Sequence, residues 1–449
     1  MKKSSLLDDY LNKYAAGHPW ELEGGSLEDI SQVVIIPALA EKEHIFETLA
    51  SLAANNPTVL DDTLVICVIN NKADSHPSDR ADNADTLALL RALMKKEIPA
   101  AAENLGPVIQ KIVSSCLRLG VIDASSPGRE IPWRAGGVGM ARKIGMDAAL
   151  SLPGMRGNYS PRLLLNLDAD TLVSPDYLQA LRNVFNSRRA HAGVIAYEHQ
   201  TSEEPALQDA ITLYEIYLRY WVAGLKYARS PYAFHSIGST MATTEDAYLA
   251  VRGMNRRAAG EDFYFLNKLA KAGPIRLINE TRVYPSARIS GRVPFGTGAA
   301  MGKLISMKKN TKIFYQPRVF EILKCWLELT MHSAGRSADF LLSEARKIDP
   351  VLAQFLIARG FVPVWTKISA NATTKEVLKK NFHHWFDGFE TLKLINFLTK
   401  ENYQRMDYVQ AMKGISRLAG AGLADDFYSG EVPESGNLVD ILSWLRRVT

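Results

Sequence analysis

Short apolar runs recur along the first 300 residues, and segments with helical spacing of apolar residues lie between them. The runs at 33–36, 64–69 and 163–167 have the length and continuity of strands that are buried on both faces. Pro37 is expected to end the first of them. Two strands with a helix between them form a βαβ unit, which should be right-handed. The pattern therefore predicts an α/β domain with a mostly parallel sheet.

Three further segments extend the predicted sheet. They are "LGVIDASS", "AGVIAYEHQ" and "IRLINETRVYPSARIS", and each is interpreted as a strand. From about residue 305 onwards the pattern is helical. We therefore predict a polar leader at 1–30, an α/β domain at 31–304 and a helical C-terminal region at 305–449.

The predicted helical region carries three tryptophans, Trp326, Trp385 and Trp444, together with clustered lysines. This combination is typical of a helical core with a solvated outer face. It also leaves open an acceptor site or contact with a membrane surface.

Composition and charge narrow the class of protein. With 47% hydrophobic and 22% charged residues among 449, the chain has the composition of a globular protein with a large core. The net charge of +5 suits phosphate-bearing ligands but is too small to indicate nucleic-acid binding. The three cysteines lack metal-site spacing and favour a reducing compartment. Because the sequence shows neither a signal-peptide core nor about 18 uninterrupted apolar residues, we expect a cytoplasmic protein, with peripheral contact at the inner face of the membrane left open.

Two aspartates, Asp168 and Asp170, directly follow the predicted strand at 163–167. Ser174 and Pro175 then resemble the cap and first position of a helix, so the pair lies on a loop between strand and helix. In open α/β sheets, ligands bind beyond the carboxyl ends of the strands. Two carboxylates this close are easier to keep ionised when a divalent cation lies between them and a phosphate. A solvated acidic loop that caps a helix explains the pair equally well.

Five features along residues 32–300 resemble the inverting family 2 glycosyltransferases of the GT-A fold. In sequence order they are "VVIIPALAEKEHI", "GVGMARKIGMDAAL", "NLDAD", "STMATTEDAYLAVRGM" and "GEDFYFLNKLAKAG". They are similar to that family's opening strand, its Gly–Ala–Arg helix, its metal loop, its acceptor-site loop and its Glu-Asp element. The resemblance implies a GT-A fold, which is a Rossmann-like, mostly parallel sheet flanked by helices, followed here by the helical C-terminal region.

This resemblance implies a role for each acidic residue. Asp170 would coordinate Mn²⁺ or Mg²⁺ that bridges the diphosphate of a nucleotide-sugar donor. Asp168 would contact the nucleoside or ribose and would belong to the same metal site. Asp262 would be the catalytic base that takes the proton from the acceptor hydroxyl, and Glu261 would orient the base or the acceptor. A single base with in-line displacement would invert the configuration of the transferred sugar.

The resemblance also implies a set of donor-binding residues at the ends of the first strands and on arginine-bearing segments. These residues are Pro37, Glu41, Asn70, Arg142, Asp168, Arg288 and Arg292. The chain departs from the family at two of these places, with Ala40-Glu41 where the family usually has Asn-Glu and Asn70-Asn71 where it usually has acidic residues. These departures leave the nucleotide base open. The two later arginines, followed by glycines, would form a loop that closes over the diphosphate.

Five of these residues also have an explanation that involves no function. Glu261 and Asp262 open a helix, where the helix dipole favours acidic side chains. Arg142 lies beside Lys143 and fits a solvated basic face. The two later arginines fit a surface turn with ordinary salt bridges.

The sequence therefore predicts a metal-dependent, inverting hexosyltransferase. Its donor would be a nucleotide sugar, and its acceptor a glycan, a lipid-linked sugar or a small molecule, with no nucleic-acid partner. A retaining GT-A transferase that acts on a small acceptor such as glycerate fits the first strand as well. A non-catalytic nucleotide-binding protein of the same fold would not need Asp262, and the altered residues after the first two strands favour that alternative.

Overall fold

The described part of the chain forms two compact units. The computed structural model describes residues 3–17, 19–98, 106–132, 137–153, 162–188, 190–257, 259–288, 312–419 and 435–449. The first unit holds the described residues of 1–200 and 236–286, and the second holds those of 201–235, 287–288 and 312–449. The boundary predicted between residues 304 and 305 lies outside the described residues.

The first unit is built on one sheet. Its strands are β1 (Leu22–Gly24), β2 (Gln32–Ala38), β3 (Thr63–Asn70), β4 (Arg118–Ala124), β5 (Leu163–Asn166), β6 (Leu172–Val173), β7 (Ala192–Tyr197), β8 (Met241–Thr244) and β9 (Arg276–Tyr284). The first ten α-helices among the described residues are α1 (Lys3–Lys13), α2 (Lys42–Ala53), α3 (Pro57–Leu60), α4 (Pro77–Met94), α5 (Gly106–Ser114), α6 (Val138–Leu150), α7 (Tyr177–Arg188), α8 (Pro205–Tyr227), α9 (Glu245–Ala250) and α10 (Glu261–Ala272). All of these helices except α8 belong to the first unit.

Within the described residues, the nine strands form one sheet in the order β1-β4-β3-β2-β5-β8-β7-β9-β6. The block β4-β3-β2-β5 is parallel throughout. Beyond it, β8 is antiparallel to both β5 and β7, and β9 is parallel to β7. The predicted α/β class is confirmed, although only four of the eight strand pairs are parallel.

Pro37 lies inside β2 and does not end it, so that prediction is wrong. The strand continues one residue further and stays paired with β3. Proline has no N–H group and is tolerated in a strand only where no neighbour needs that donor. The Ile35 carbonyl accepts from the N–H of Leu167 on the β5 side. The Pro37 backbone points to the same side but lies past the end of β5, so its missing N–H costs no ladder bond.

The central strands are buried, as the apolar runs predict. Every residue of β2 and β3 is buried, and α6 packs on them so closely that Gly145 leaves no room for a side chain. A Cβ at position 145 would lie 2.6 Å from Cγ2 of Ile35 and 3.0 Å from Cγ2 of Val68. This contact fixes the position of α6, which carries Arg142 and Lys143.

The second unit consists of α8 and the C-terminal helices. The latter are α11 (Pro317–Met331), α12 (Ala338–Ile348), α13 (Pro350–Ala358), α14 (Phe361–Ala370), α15 (Lys375–Trp385), α16 (Gly388–Glu401), α17 (Tyr408–Ala419) and α18 (Ser435–Val448). Trp326 is fully buried and makes edge contacts with Phe361 and Phe382. Trp444 is buried as well, and Trp385 is partly buried. The tryptophans that stand out in the sequence therefore belong to a helical core.

Among the helices that the structure describes, none is by itself long and apolar enough to cross a membrane. One bent pair, α13 with α14, meets both criteria when its two halves are taken together, with an angle of 77° between them.

Gly224 on α8 lies against the ring of Phe320 on α11. A Cβ at position 224 would be 2.5 Å from three atoms of that ring. We predict that Gly224→Ala lowers the free energy of unfolding by about 1–3 kcal/mol, because overpacking a core outweighs the better helix propensity of alanine. Urea denaturation measures the change. Gly25→Ala is the control, because position 25 is exposed and has nothing within 4 Å of the new Cβ; equal losses in the two variants would contradict the prediction.

Candidate active site

The carboxyl ends of β2, β3 and β5 meet at one edge of the sheet. Glu41 follows β2, Asn70 is the last residue of β3, and Asp168 comes two residues after β5. These strands are parallel neighbours, so the residues that follow them lie side by side. This edge is where ligands bind in open α/β sheets.

The acidic loop after β5 is held through its backbone on two sides. The Ala169 carbonyl accepts a hydrogen bond from the hydroxyl of Thr48 on α2, at 2.9 Å. The Asp170 carbonyl accepts one from the side-chain amide of Gln200, also at 2.9 Å. The same amide donates to the carbonyl of Tyr284 on β9, at 2.7 Å. The course of the loop backbone is therefore set by the fold.

Arg142 on α6 is the buried charge at the centre of the site. Its side chain is 2% exposed, and its guanidinium pairs with the carboxylates of both Asp168 and Glu261. The distance from its Nε to Oε1 of Glu261 is 3.2 Å. Gly238 leaves the space that the guanidinium fills, since a Cβ at that position would overlap Nη2. Arg142 therefore does not lie on a solvated face, and its direct contact with a donor stays a prediction.

A close approach between α6 and the start of α10 brings Glu261 to Arg142. Gly260, directly before α10, has a φ of 70°, which glycine adopts without strain. Gly139 on α6 is equally constrained, because a Cβ there would lie 2.9 Å from Cβ of Glu261. Both glycines are needed for the two helices to meet with Glu261 and Asp262 at the contact.

Burial and mutual repulsion shift the titration of the acidic pair. Burial, with the neighbouring Glu261 carboxylate as the next cause, raises the pKa of Asp262 from 3.8 to about 7. Burial also raises the pKa of Glu261, although Arg142 opposes this rise. Asp262 accepts a hydrogen bond from the N–H of Phe263 at 2.7 Å. A carboxylate that exchanges its proton near neutral pH is suited to act as a general base.

Three of the predicted donor-binding residues lie at the same sheet edge as Asp168. Glu41 is buried at the N-terminus of α2, where the helix dipole favours a carboxylate. The Asn70 carbonyl accepts from the side-chain amide of Asn83 on α4 at 3.1 Å. Pro37 is the next-to-last residue of β2. Their contact with a nucleotide stays a prediction.

The two later arginines also stay predictions. Arg288 belongs to the second unit of the structure. Arg292 lies outside the described residues.

Three polar residues that support the site were not predicted from the sequence. Thr48 and Asn83 lie in helices, where nothing in the local pattern separates them from ordinary helix positions. Gln200 lies three residues past the end of β7. Its position, a polar residue shortly after a predicted strand, was a signal that could have identified it.

The acidic loop carries carboxylate oxygens, which suit a hard divalent cation, but it offers few of them. Carboxylate oxygens are the ligands that Mn²⁺ and Mg²⁺ prefer. Within the described ranges, no three His, Cys, Asp or Glu side chains come together as a metal site, and the Asp168 carboxylate already pairs with Arg142. A cation held here would depend on Asp170, with oxygens from the donor and from water, as Mg²⁺ often does.

Residues 163–306 match the model of the family described as "Glycosyl transferase family group 2". The match begins at β5 and includes both the loop of Asp168 and Asp170 and the start of α10 with Glu261 and Asp262. It confirms the predicted resemblance to family 2 glycosyltransferases over this part of the chain. This part of the chain accordingly resembles a glycosyltransferase, and its strands belong to the α/β sheet described above.

Two solved structures are similar to this chain at a low level. TarS 1-349 of S. aureus has a TM-score of 0.36 and 11% identity, over 93% of this chain and 90% of that one. The mannosyltransferase PcManGT of Pyrobaculum calidifontis, in complex with GDP-Man and Mn²⁺, has a TM-score of 0.36 and 14% identity, over 88% of this chain and 92% of that one. Neither assigns a donor, a metal or an acceptor to this protein. Among curated proteins, none matches the sequence.

We predict that Asp262→Asn makes the protein more stable above neutral pH. The pKa of Asp262 is higher in the folded than in the unfolded state, so the protonated carboxyl stabilises the fold at low pH. This stabilisation falls as the pH rises from the pKa of the unfolded state towards about 7, the pKa in the folded state. Asparagine stays neutral and avoids that loss. The melting temperature of the variant relative to wild type should therefore rise by about 2–4 °C between pH 5 and pH 8.

Differential scanning calorimetry across this pH range measures the effect. Asp85→Asn is the matched control, because the Asp85 side chain is 60% exposed. Its difference from wild type should vary less with pH over the same range. A pH-independent difference for Asp262→Asn would show that its carboxyl does not carry the raised pKa.

We predict that Arg142→Met lowers the free energy of unfolding by about 3–5 kcal/mol, because removing one partner leaves a buried carboxylate without compensation. Urea denaturation at neutral pH measures this loss. Arg229→Met is the control, since its side chain is 77% exposed and lies 3.7 Å from Glu328, and it should cost only about 0–1 kcal/mol. A similarly small loss for Arg142→Met would mean that its two ion pairs do not stabilise the fold.

Proposed function

We propose that this protein is a glycosyltransferase that moves a sugar from a nucleotide-sugar donor to an acceptor hydroxyl with inversion, and that it uses Mn²⁺ or Mg²⁺. One observation carries the proposal, namely the continuous path from the acidic loop to α10. Asp168 pairs with Arg142, which pairs in turn with Glu261. The next residue is Asp262, with a pKa of about 7. A candidate donor-side carboxylate and a candidate base are thus linked through one buried guanidinium.

The proposed reaction is a single displacement. Asp262 takes the proton of the acceptor hydroxyl while that oxygen forms a bond to the anomeric carbon. The bond between this carbon and the donor's diphosphate breaks, and the nucleoside diphosphate leaves with its electron pair. Because the acceptor oxygen arrives opposite the leaving group, the configuration inverts. Glu261 and its ion pair with Arg142 hold the start of α10 where the base is needed.

A divalent cation, when bound, would neutralise the negative charge that develops on the leaving diphosphate. Asp170 would hold it, and Asp168 would adjoin it while remaining paired with Arg142. The Nη1 atom of Arg142 is buried and has no hydrogen-bond partner in the described part of the chain. Leaving such a donor unpaired costs about 1–3 kcal/mol, so an oxygen of a bound ligand would be stabilised there.

The proposed acceptor is a glycan, a lipid-linked sugar or a small molecule that the protein meets in the cytoplasm or at the inner face of the membrane. NMR of the anomeric centre before and after transfer tests the stereochemistry. An inverted product supports Asp262 as the base. A product with retained configuration would contradict the single displacement and favour a retaining GT-A transferase.

The donor site is tested by a thermal-shift panel of nucleotide sugars with and without Mn²⁺. A ligand that binds only the folded state raises the melting temperature. We predict that one class of nucleotide sugar raises it further when Mn²⁺ is present, and that Asp170→Asn removes this metal-dependent part. The variant should weaken Mn²⁺ binding by about 10–100-fold or more.

Asp85→Asn, at an exposed position in the same unit, serves as the control and should keep the full metal-dependent shift. If no nucleotide sugar shifts the melting temperature in a metal-dependent way, the proposed donor site is wrong. If the shift is present in wild type and unchanged in Asp170→Asn, the cation is held elsewhere.

A further inference from the structure

A second buried polar cluster begins on α6 with the residue after Arg142. The Lys143 ammonium lies 3.0 Å from the carboxylate of Asp147, one turn later on the same helix. The other oxygen of this carboxylate accepts from the hydroxyls of Tyr10 and Tyr248, each at 2.7 Å. Both tyrosines, Lys143 and Asp147 are buried. Because a buried charge is stable only when it is fully paired, this cluster holds its members in one geometry.

The chain segment 10–16, which we name the N-terminal clasp, is attached to α6 through this cluster. The Tyr10 hydroxyl accepts from the Lys143 ammonium at 2.7 Å in addition to its bond to Asp147. The backbone N–H of Ala16 donates to Oδ2 of Asp147, the oxygen that also faces the Lys143 ammonium, at 2.7 Å. Both ends of the clasp are thus fixed to the helix that carries Arg142.

The N-terminal clasp also contacts the 252–257 loop, which leads from α9 towards α10. Gly253 has a φ of 68° and lies so close to the Tyr10 hydroxyl that a Cβ on it would overlap this group. The Arg256 guanidinium donates to the carbonyl of Ala15 at 2.9 Å. The Arg252 guanidinium lies over the ring of Tyr14, 5.2 Å from its centre. Three successive contacts therefore join the clasp to the loop.

On its other side, the same loop is attached to α10 and α6. The Gly253 carbonyl accepts from the ammonium of Lys268 on α10 at 2.6 Å. A Cβ on Gly139 of α6 would lie 2.8 Å from the Asn255 carbonyl oxygen. Helix α10 begins shortly after the loop, with Glu261 as its first residue. The loop is thus held between the clasp and the two helices that form the candidate active site.

We propose that the N-terminal clasp is a positioning element of the active site, in which Tyr10 and Asp147 hold the 252–257 loop and thereby the placement of Glu261 and Asp262. Its catalytic consequence rests on the proposed transferase function. Hydrogen bonds between a hydroxyl and a carboxylate are directional, whereas apolar packing is not. This cluster therefore fixes the position of the clasp on α6 in addition to stabilising it. The clasp residues contact the loop and α6, and they act on the reaction through these elements.

Two variants test the proposal at different points of the contact. Tyr10→Phe keeps the ring but removes the hydroxyl that joins Asp147, Lys143 and the loop. Arg256→Met removes the bond to the Ala15 carbonyl at an exposed position, so it remains informative if the first variant folds poorly. Tyr220→Phe is the matched control, since it removes a buried hydroxyl bond, 2.5 Å to the Tyr315 carbonyl, in the second unit.

The first measurement is amide hydrogen exchange of peptides that span residues 252–262, which requires no turnover. We expect Tyr10→Phe and Arg256→Met to speed exchange in these peptides about tenfold, because local opening becomes easier. Tyr220→Phe should leave their exchange as in wild type. Unchanged exchange in both clasp variants would overturn the proposal.

The second measurement separates positioning from general stability. In the presence of Mn²⁺ and a nucleotide sugar that wild type turns over, we expect Tyr10→Phe to lower kcat about tenfold through misplacement of the base. The dissociation constant of the donor should stay within about twofold, and Tyr220→Phe should keep the wild-type kcat. An equal loss of kcat in Tyr220→Phe, or a donor affinity that falls together with kcat, would assign the clasp a merely structural role.

These two measurements also separate failure of the inference from failure of the proposed function. If wild type turns over no nucleotide sugar, the transferase proposal fails, and the exchange data alone decide whether the clasp holds the loop. If wild type is active and the clasp variants match it in both exchange and kcat, the clasp proposal fails and the transferase proposal stands.

Discussion

The site depends on one buried positive charge, the guanidinium of Arg142. A charge removed from water is stable only when opposite charges compensate it at close range, and here Asp168 and Glu261 do so from two separate elements. Because the buried guanidinium pairs with both carboxylates, moving the acidic loop after β5 away from the start of α10 would break one of its two ion pairs. The donor side and the acceptor side of the proposed reaction are therefore held at a defined separation by electrostatics.

Glycines provide the space that this arrangement requires. Position 145 lets α6 lie directly on the central strands, position 139 lets the start of α10 approach α6, and position 238 leaves room for the guanidinium. None of the three has a positive φ, so it is close packing and not backbone conformation that excludes a side chain. A sequence motif such as "GVGMARKIG" thus encodes a distance between helix and sheet as well as the chemistry of its arginine.

The fold was predictable where burial is regular and not predictable where the elements are short. The runs at 33–36, 64–69 and 163–167 correspond to β2, β3 and β5, because strands buried on both faces are continuously apolar. Strands β1 and β6 have three residues or fewer, too few to show a period. Pro37 was misjudged because the local sequence cannot show that the neighbouring strand ends before the missing N–H would be needed.

The same distinction applies to the site. Asp168, Asp170 and Asp262 could be proposed because their order and spacing resemble a family pattern, and the family match covers these positions. Tyr10 and Thr48 could not be proposed in this way, because each acts across a long stretch of chain on a residue that no local motif connects with it. A contact of this kind becomes visible only when the fold brings the partners together.

The proline in β2 has a further chemical consequence for whatever occupies the sheet edge. Its backbone points past the end of β5, at the edge of the sheet where ligands bind in open α/β folds, and it offers a carbonyl oxygen without an accompanying N–H. A ligand group that approached this carbonyl would bind through its own N–H or O–H, whereas a phosphate oxygen would find an acceptor and no donor on this residue.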